Sequence, residues 1–225
     1  MLVAAAYASH AVVIAQNVDR RSLDDERSRR TFWLPIGLDL RSEAQGEDSP
    51  LAALATYYDA LAVPRGTPRT PRVLVSWTRD SETSRRFARA GFASRRDLFD
   101  QAVERSGLAD VVTGSRAAVW AAMASYAFVA SPIGAGFDCF RTWEGLFFGA
   151  IVIAQRSPLE AEFTSKNLPV VFVDDFNFTQ ADLDAWAARH APLASADDPR
   201  LKRDTYLRVG PASGRSPRAG GASTA

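Results

Sequence analysis

The sequence predicts an α/β fold built on a Rossmann-like parallel sheet, and three observations carry that prediction. Short apolar runs of strand length recur from Arg72 onward: RVLVSW (72–77), AFVAS (127–131), AIVIA (150–154) and LPVVFVDD (168–175). Segments with apolar residues at helical spacing alternate with them. Strands that are apolar throughout need cover on both faces, which helices crossing between parallel strands supply. The third observation is a glycine-bearing corner, SPIGAGFD (131–138), between one of these strands and the next helix.

The elements follow in order. MLVAAAYASHAVVIA opens the chain; it is too short to span a bilayer and lacks the basic start of a signal peptide, so VVIA reads as a buried strand. RRSLDDERSRR (20–30) balances its charges and reads as a solvated loop or exposed helix. FWLPIGLDL (32–40) is a strand entering a turn marked by Pro35 and Gly37. RSEAQGEDSP (41–50) is a polar linker, ALATYYDALA (52–61) a candidate short helix, and PRGTPRTP (64–71) a second linker.

The pattern becomes regular from Arg72. SRRDLFDQAVERSG (94–107) has helical spacing and stops at Gly107. DVVT (110–113) is a short strand, and SRAAVWAAMASY (115–126) a helix with Val119, Trp120 and Met123 on one side. DCFRTWEGLFFG (138–149) is a helix with Gly149 as its C-terminal stop. TQADLDAWAARH (179–190) is a helix capped by Thr179, with Asp182 at its third position. The tail from Val209 is Gly/Ser/Pro/Arg material without apolar periodicity and reads as disordered. The domains expected are 1–63, the linker 64–71, a Rossmann-like unit over 72–208, and the tail 209–225.

Composition narrows the function classes. A net charge of +1 supplies no overall field toward nucleic acid or anionic lipid. One cysteine, Cys139, excludes an intrachain disulfide and a multi-cysteine zinc site. His10 and His190 lie far apart and outside any motif, so they read as surface or packing residues rather than members of a triad or metal site. No metal is expected.

The glycine corner carries the chemistry. Ligands of open α/β sheets sit beyond the carboxyl ends of the strands. A helix N-terminus there attracts anions through its amides and dipole. Gly134 and Gly136 remove side chains where a diphosphate must come close. Asp138 is a candidate N-cap. Arg141, in the first turn, can reach a phosphate oxygen, and Glu144, one turn on, can accept from a ribose diol. The plainer alternative is that Arg141 and Glu144 pair along the helix and the glycines only make the corner. Trp143 can stack on a base or anchor the helix, and helix geometry favours the anchor. Cys139 reads as a small residue under the loop rather than a nucleophile.

Two ligand classes fit. Gly134-x-Gly136-x-x-Cys139 approaches the dinucleotide fingerprint, with Arg156 placed for a 2′-phosphate, but a cysteine replaces the third glycine. The second class is a nucleotide sugar. The run SYAFVASPIGAGFDCFRTWEGLFFGAIVIAQRSPLEAEF resembles the donor-binding region of exostosin-type glycosyltransferases (family 47), closest to the ribitol xylosyltransferase-like branch. Ser125, Phe128, Pro132, Gly134, Gly136, Asp138, Cys139, Arg141, Thr142, Trp143, Glu144, Gly149, Ser157, Pro158 and Leu159 carry the likeness. It continues through LPVVFVDDF (168–176) and, upstream, AQNVD (15–19) and PIGLDL (35–40).

The resemblance implies the C-terminal, donor-binding half of a GT-B fold, with 1–63 a truncated remnant of the N-terminal domain. It implies an inverting, metal-independent transfer of a hexosyl or pentosyl group from a nucleotide sugar, UDP-linked, to a hydroxyl of a glycan or other acceptor. Gly134, Gly136, Asp138 and Arg141 would hold the diphosphate, Glu144 the ribose, and Ser157 and Leu159 would lie near the sugar. It implies the Golgi or secretory lumen where the full-length protein carries a membrane anchor; no stretch of this sequence reaches transmembrane length. An inverting transfer needs a general base. Asp19 and Asp39 are the only candidates in the remnant, and neither sits in a motif that identifies it. Asp182 and Asp184 match a D-x-D pattern formally but lie within a helix, and Asp174 and Asp175 read as strand-end residues.

Overall fold

The structure, a computed structural model, describes residues 13–16, 23–38, 59, 67–76, 101–102, 105–134, 136–193 and 198–201. Asp19, Asp39, His10, the linker 41–50 and the tail lie outside these residues, as does most of the helices expected over 52–61 and 94–107.

Five strands form one all-parallel sheet: β3 (Thr70–Val75), β4 (Ala109–Val111), β5 (Tyr126–Ser131), β6 (Ile151–Gln155) and β7 (Val170–Val173). Their spatial order is β4-β3-β5-β6-β7. Relabelled within the sheet this is 2-1-3-4-5, the doubly wound order whose direction reverses between its first and third strands, here β3 and β5. The expected Rossmann-like parallel sheet is therefore present, and in sheets of this order ligands bind outside the carboxyl ends of the strands at the reversal.

Period-two alternation divides the strand residues between two cores. Val73, Val75, Phe128, Ala130, Ile151, Ile153 and Val171 face one side with Phe176, Phe178 and Leu183. Leu183 belongs to α5 (Gln180–Arg189), whose Thr179–Asp182 capping box forms as the sequence predicts. Leu74, Val129, Val152, Ala154 and Val170 face the opposite side. That side is covered by α2 (Arg116–Ser125), α3 (Phe140–Phe147) and α4 (Glu160–Ser165). The helix α4 has no counterpart among the predicted elements, because six residues hold too little periodicity to register.

The boundaries move in physically legible ways. β3 begins at Thr70, inside the segment expected to be a linker, and its pairing with β5 is irregular between Thr70 and Val73. Pro71 sits there, before the pairing with β4 begins at Val73, so its missing N–H costs no ladder bond on that side. Arg69, just before it, donates to the carbonyls of Met123, Tyr126 and Phe148, closing the C-terminal ends of α2 and α3. α3 starts at Phe140 rather than Asp138. Its end is a Schellman turn: Ala150 N–H donates to Gly145 O at 2.9 Å and Gly149 N–H to Leu146 O at 3.0 Å. Gly149 adopts φ 78°, as the predicted stop requires.

Gly145 sets how closely α3 approaches the sheet. A Cβ there would lie 2.8 Å from Val152 Cγ2 and 3.2 Å from Val129 Cβ. Gly145→Ala is therefore expected to lose about 1–3 kcal/mol through overpacking, partly offset by alanine's helix preference of about 1 kcal/mol. A net fall in the thermal midpoint checks this; a rise would mean that α3 can slide outward without cost.

Upstream, β1 (Val13–Ala15) and β2 (Thr31–Trp33) form a separate parallel pair, with the exposed helix α1 (Asp25–Arg30) between them; VVIA is a strand as expected but not a buried one, since Ile14 is 54% exposed in a two-stranded pair. Trp33 leaves β2 to join the core beneath α3 and α4 with Trp143, Leu146 and Phe163.

Candidate functional site

The strand order places the glycine corner at the sheet's reversal point. β5 ends at Ser131, and the chain runs through Pro132, Ile133, Gly134 and Gly136 into α3. Polar residues that are buried gather at this edge. Ser76 follows β3, Ser131 ends β5, Gln155 ends β6, Ser157 follows it, and Asp138, Thr142 and Glu144 lie in or before α3. A carboxyl edge lined with buried polar groups, in a domain whose strands are otherwise apolar, is the layout of a ligand crevice.

Several of these groups shape the loop. The Ser131 and Thr142 hydroxyls share a hydrogen bond of 2.8 Å, tying the end of β5 to the first turn of α3. Ile133 N–H donates to Gln155 Oε1 at 3.3 Å, tying the loop to β6. The Cys139 thiol occupies the loop's centre: Gly134 N–H donates to its sulfur at 3.1 Å, and the thiol lies 3.4 Å from Gly136 O and 3.5 Å from Pro132 O. Gly134 N–H also approaches Gly136 O at 3.3 Å. Both glycines are buried. The thiol thus folds the loop over itself, where the dinucleotide fingerprint has its third glycine.

Asp138 departs from its expected role as N-cap. The cap of α3 is Cys139, which makes no side-chain capping bond. The Asp138 carboxylate instead turns into the protein: Trp143 Nε1–H donates to Oδ1 at 2.6 Å, and Ile36 N–H donates to Oδ2 at 2.8 Å. It is 2% exposed. Burial pushes its pKa up to about 6, against the lowering pull of these donors. Asp138 therefore joins the glycine corner to the segment after β2, across 102 residues of sequence, a contact that no local pattern announces.

Arg141 stands in the first turn of α3, as the sequence predicts. The helix-pairing alternative with Glu144 is not realised: among the described residues Arg141 makes no ion pair, and its Nε is buried without a hydrogen-bond partner. Glu144, one turn on, is 6% exposed. Ser157 accepts a hydrogen bond from Leu159 N–H at 3.3 Å, starting α4. Leu159 points into the core with Trp143 and Leu146 and is 1% exposed, so only its backbone could meet a ligand.

Trp143 is a packing anchor. It is 1% exposed, and its ring centroid lies 5.8 Å from Trp33 and 5.5 Å from Phe163. Base stacking is ruled out by that burial. Arg156 is occupied as well: it donates to Asp174 at 2.9 Å, to Glu160 at 2.6 Å and to Phe172 O at 3.2 Å. The 2′-phosphate role considered for it would require breaking two ion pairs. Asp174 and Asp175 close the end of β7, the first through Arg156 and the second by accepting from Asn177 N–H. Asp182 is the capping-box acid of α5 and Asp184 accepts from Gln180, so the D-x-D match is helical surface.

Among the described residues no three His, Cys, Asp or Glu side chains group as metal ligands, and no helix is long and apolar enough to cross a membrane. No family model matches the sequence, and no curated protein is significantly similar to it.

Proposed function

We propose that the crevice at the carboxyl ends of β3 and β5 binds the diphosphate of a nucleotide sugar, and that the chain is the donor-binding part of an inverting, metal-independent glycosyltransferase of exostosin type. The observation that carries the anion site is Arg141. It is a guanidinium in the first turn of α3, at the sheet's reversal point, with no acidic partner among the described residues and a buried Nε that nothing satisfies. A cation built into a polar crevice without its counter-charge supports an anionic ligand. The resemblance of residues 125–176 to the exostosin donor region supports a nucleoside diphosphate as that anion and transfer to a hydroxyl as the reaction.

In this reading the α3 terminus and Arg141 stabilise the charge that develops on the diphosphate as the glycosidic bond breaks. Glu144 accepts from the ribose hydroxyls. Asp138, which the resemblance places at the diphosphate, acts instead from behind, holding the corner against Trp143 and Ile36. The carboxylate that deprotonates the acceptor hydroxyl is not assigned.

The test is a titration of the purified chain with UDP, GDP, UDP-sugars and NADPH, with Arg141→Ala alongside. A nucleoside diphosphate should bind, and Arg141→Ala should weaken it about 10- to 100-fold, the loss of a charge-assisted hydrogen bond in a sheltered site. Binding of NADPH alone would overturn the transferase reading. Binding that ignores Arg141→Ala would place the ligand elsewhere.

A further inference from the structure

We infer that the hydroxyl of Ser76 is a ligand contact from the opposite wall of this crevice, donating a hydrogen bond to a phosphate oxygen of the nucleoside diphosphate; the inference rests on the nucleotide reading above. Ser76 is the first residue after β3, the strand that flanks the reversal point across from the glycine corner. Strand alternation sets its side. Val73 and Val75 belong to the core under α5, and Leu74 belongs to the core under α2. Continuing that alternation puts Ser76 on the face of Leu74, which is the face that α3 covers.

The register sets its neighbour. Leu74 pairs with Val129, so two residues further on Ser76 comes beside Ser131. The Ser131 hydroxyl is committed to Thr142 in the first turn of α3. Ser76 therefore stands next to the α3 terminus, one strand over. It is 6% exposed, yet among the described residues its hydroxyl makes no hydrogen bond. Its oxygen keeps some contact with solvent, and a hydroxyl open to water at the carboxyl end of a strand is a donor that a bound oxygen can take up. The side chain is short and uncharged. It can reach only an oxygen that comes down to the strand end, and it adds direction where Arg141 adds charge.

The experiment is UDP titration of the full chain as wild type, Ser76→Ala, Ser76→Thr and Arg141→Ala, with the thermal midpoint of each unliganded protein. Ser76→Ala should weaken UDP about tenfold, consistent with one hydrogen bond to a charged oxygen. It should leave the unliganded midpoint essentially unchanged, because the hydroxyl it removes makes no hydrogen bond among the described residues. Ser76→Thr should restore most of the affinity. Wild-type affinity in Ser76→Ala, with Arg141→Ala still impaired, would overturn this inference and leave the nucleotide reading standing. A lower unliganded midpoint with unchanged affinity would make the hydroxyl structural and overturn it too. No UDP binding by the wild type would overturn both.

Discussion

Trp143→Ala is expected to cost about 3–5 kcal/mol of stability, the range for deleting a large aromatic from a packed core. The indole joins three parts of the chain. Its ring packs between Trp33, which arrives from β2, and Phe163 of α4. Its N–H holds Asp138 at 2.6 Å. Truncation would open a cavity and also remove a donor from a buried carboxylate, so two losses add. Urea unfolding followed by circular dichroism measures the change. Trp143→Phe separates the two contributions, keeping much of the volume while removing the N–H. A loss under about 1 kcal/mol for Trp143→Ala would show that the aromatic cluster can collapse around the gap.

The second large effect is a pH dependence at Asp138. Its carboxyl titrates in the folded state at about 6, above its ordinary 3.8, because burial disfavours the charged form. The folded protein therefore holds this proton more tightly than the unfolded chain does. The associated stability is fully present below about pH 4 and is lost as pH rises through about 6, amounting to about 3 kcal/mol by neutral pH.

Asp138→Asn removes this titration. The substituted amide must turn its NH2 toward either Trp143 Nε1–H or Ile36 N–H, so the variant is less stable at low pH. The deficit should shrink by about 2 kcal/mol between pH 4 and pH 7. Parallel unfolding of the two proteins across that range gives the difference directly, with the other carboxylates cancelling. A deficit that stays constant with pH would mean that Asp138 does not titrate in this window.

Much of the fold is legible from local pattern. The apolar runs place β5, β6 and β7 to within two residues, because strands buried on both faces leave a continuous apolar signature. Thr179 and Asp182 announce the start of α5, and Gly149 the end of α3, because caps and left-handed turns depend on neighbouring residues only. The short α4 is not legible, and its end shows why: Asn167 takes the left-handed position at φ 50°, but a lone Asn is a weak stop signal without periodicity before it.

At the candidate site the sequence marks Gly134, Gly136, Arg141 and Glu144 as one corner, and the structure keeps them together. It could not tell Asp138 the cap from Asp138 the buried clasp. That choice depends on Ile36, which only tertiary packing brings within reach. Nor could it show Arg156 spent on Glu160 and Asp174, since the second partner lies on the next strand connection.

By itself, then, the sequence determined where β5, β6 and β7 and the helices α2, α3 and α5 lie, and that a glycine corner feeds a helix carrying an arginine. Hydrophobic periodicity, caps and turns are short-range rules, and these features obey them. Only the tertiary structure decided that β3 and β5 are neighbours at the point where the sheet reverses, that Leu74 pairs with Val129, and that Arg141 remains without an acidic partner among the described residues. Strand order and side-chain partnership depend on contacts between residues far apart in the chain, and no local pattern encodes them.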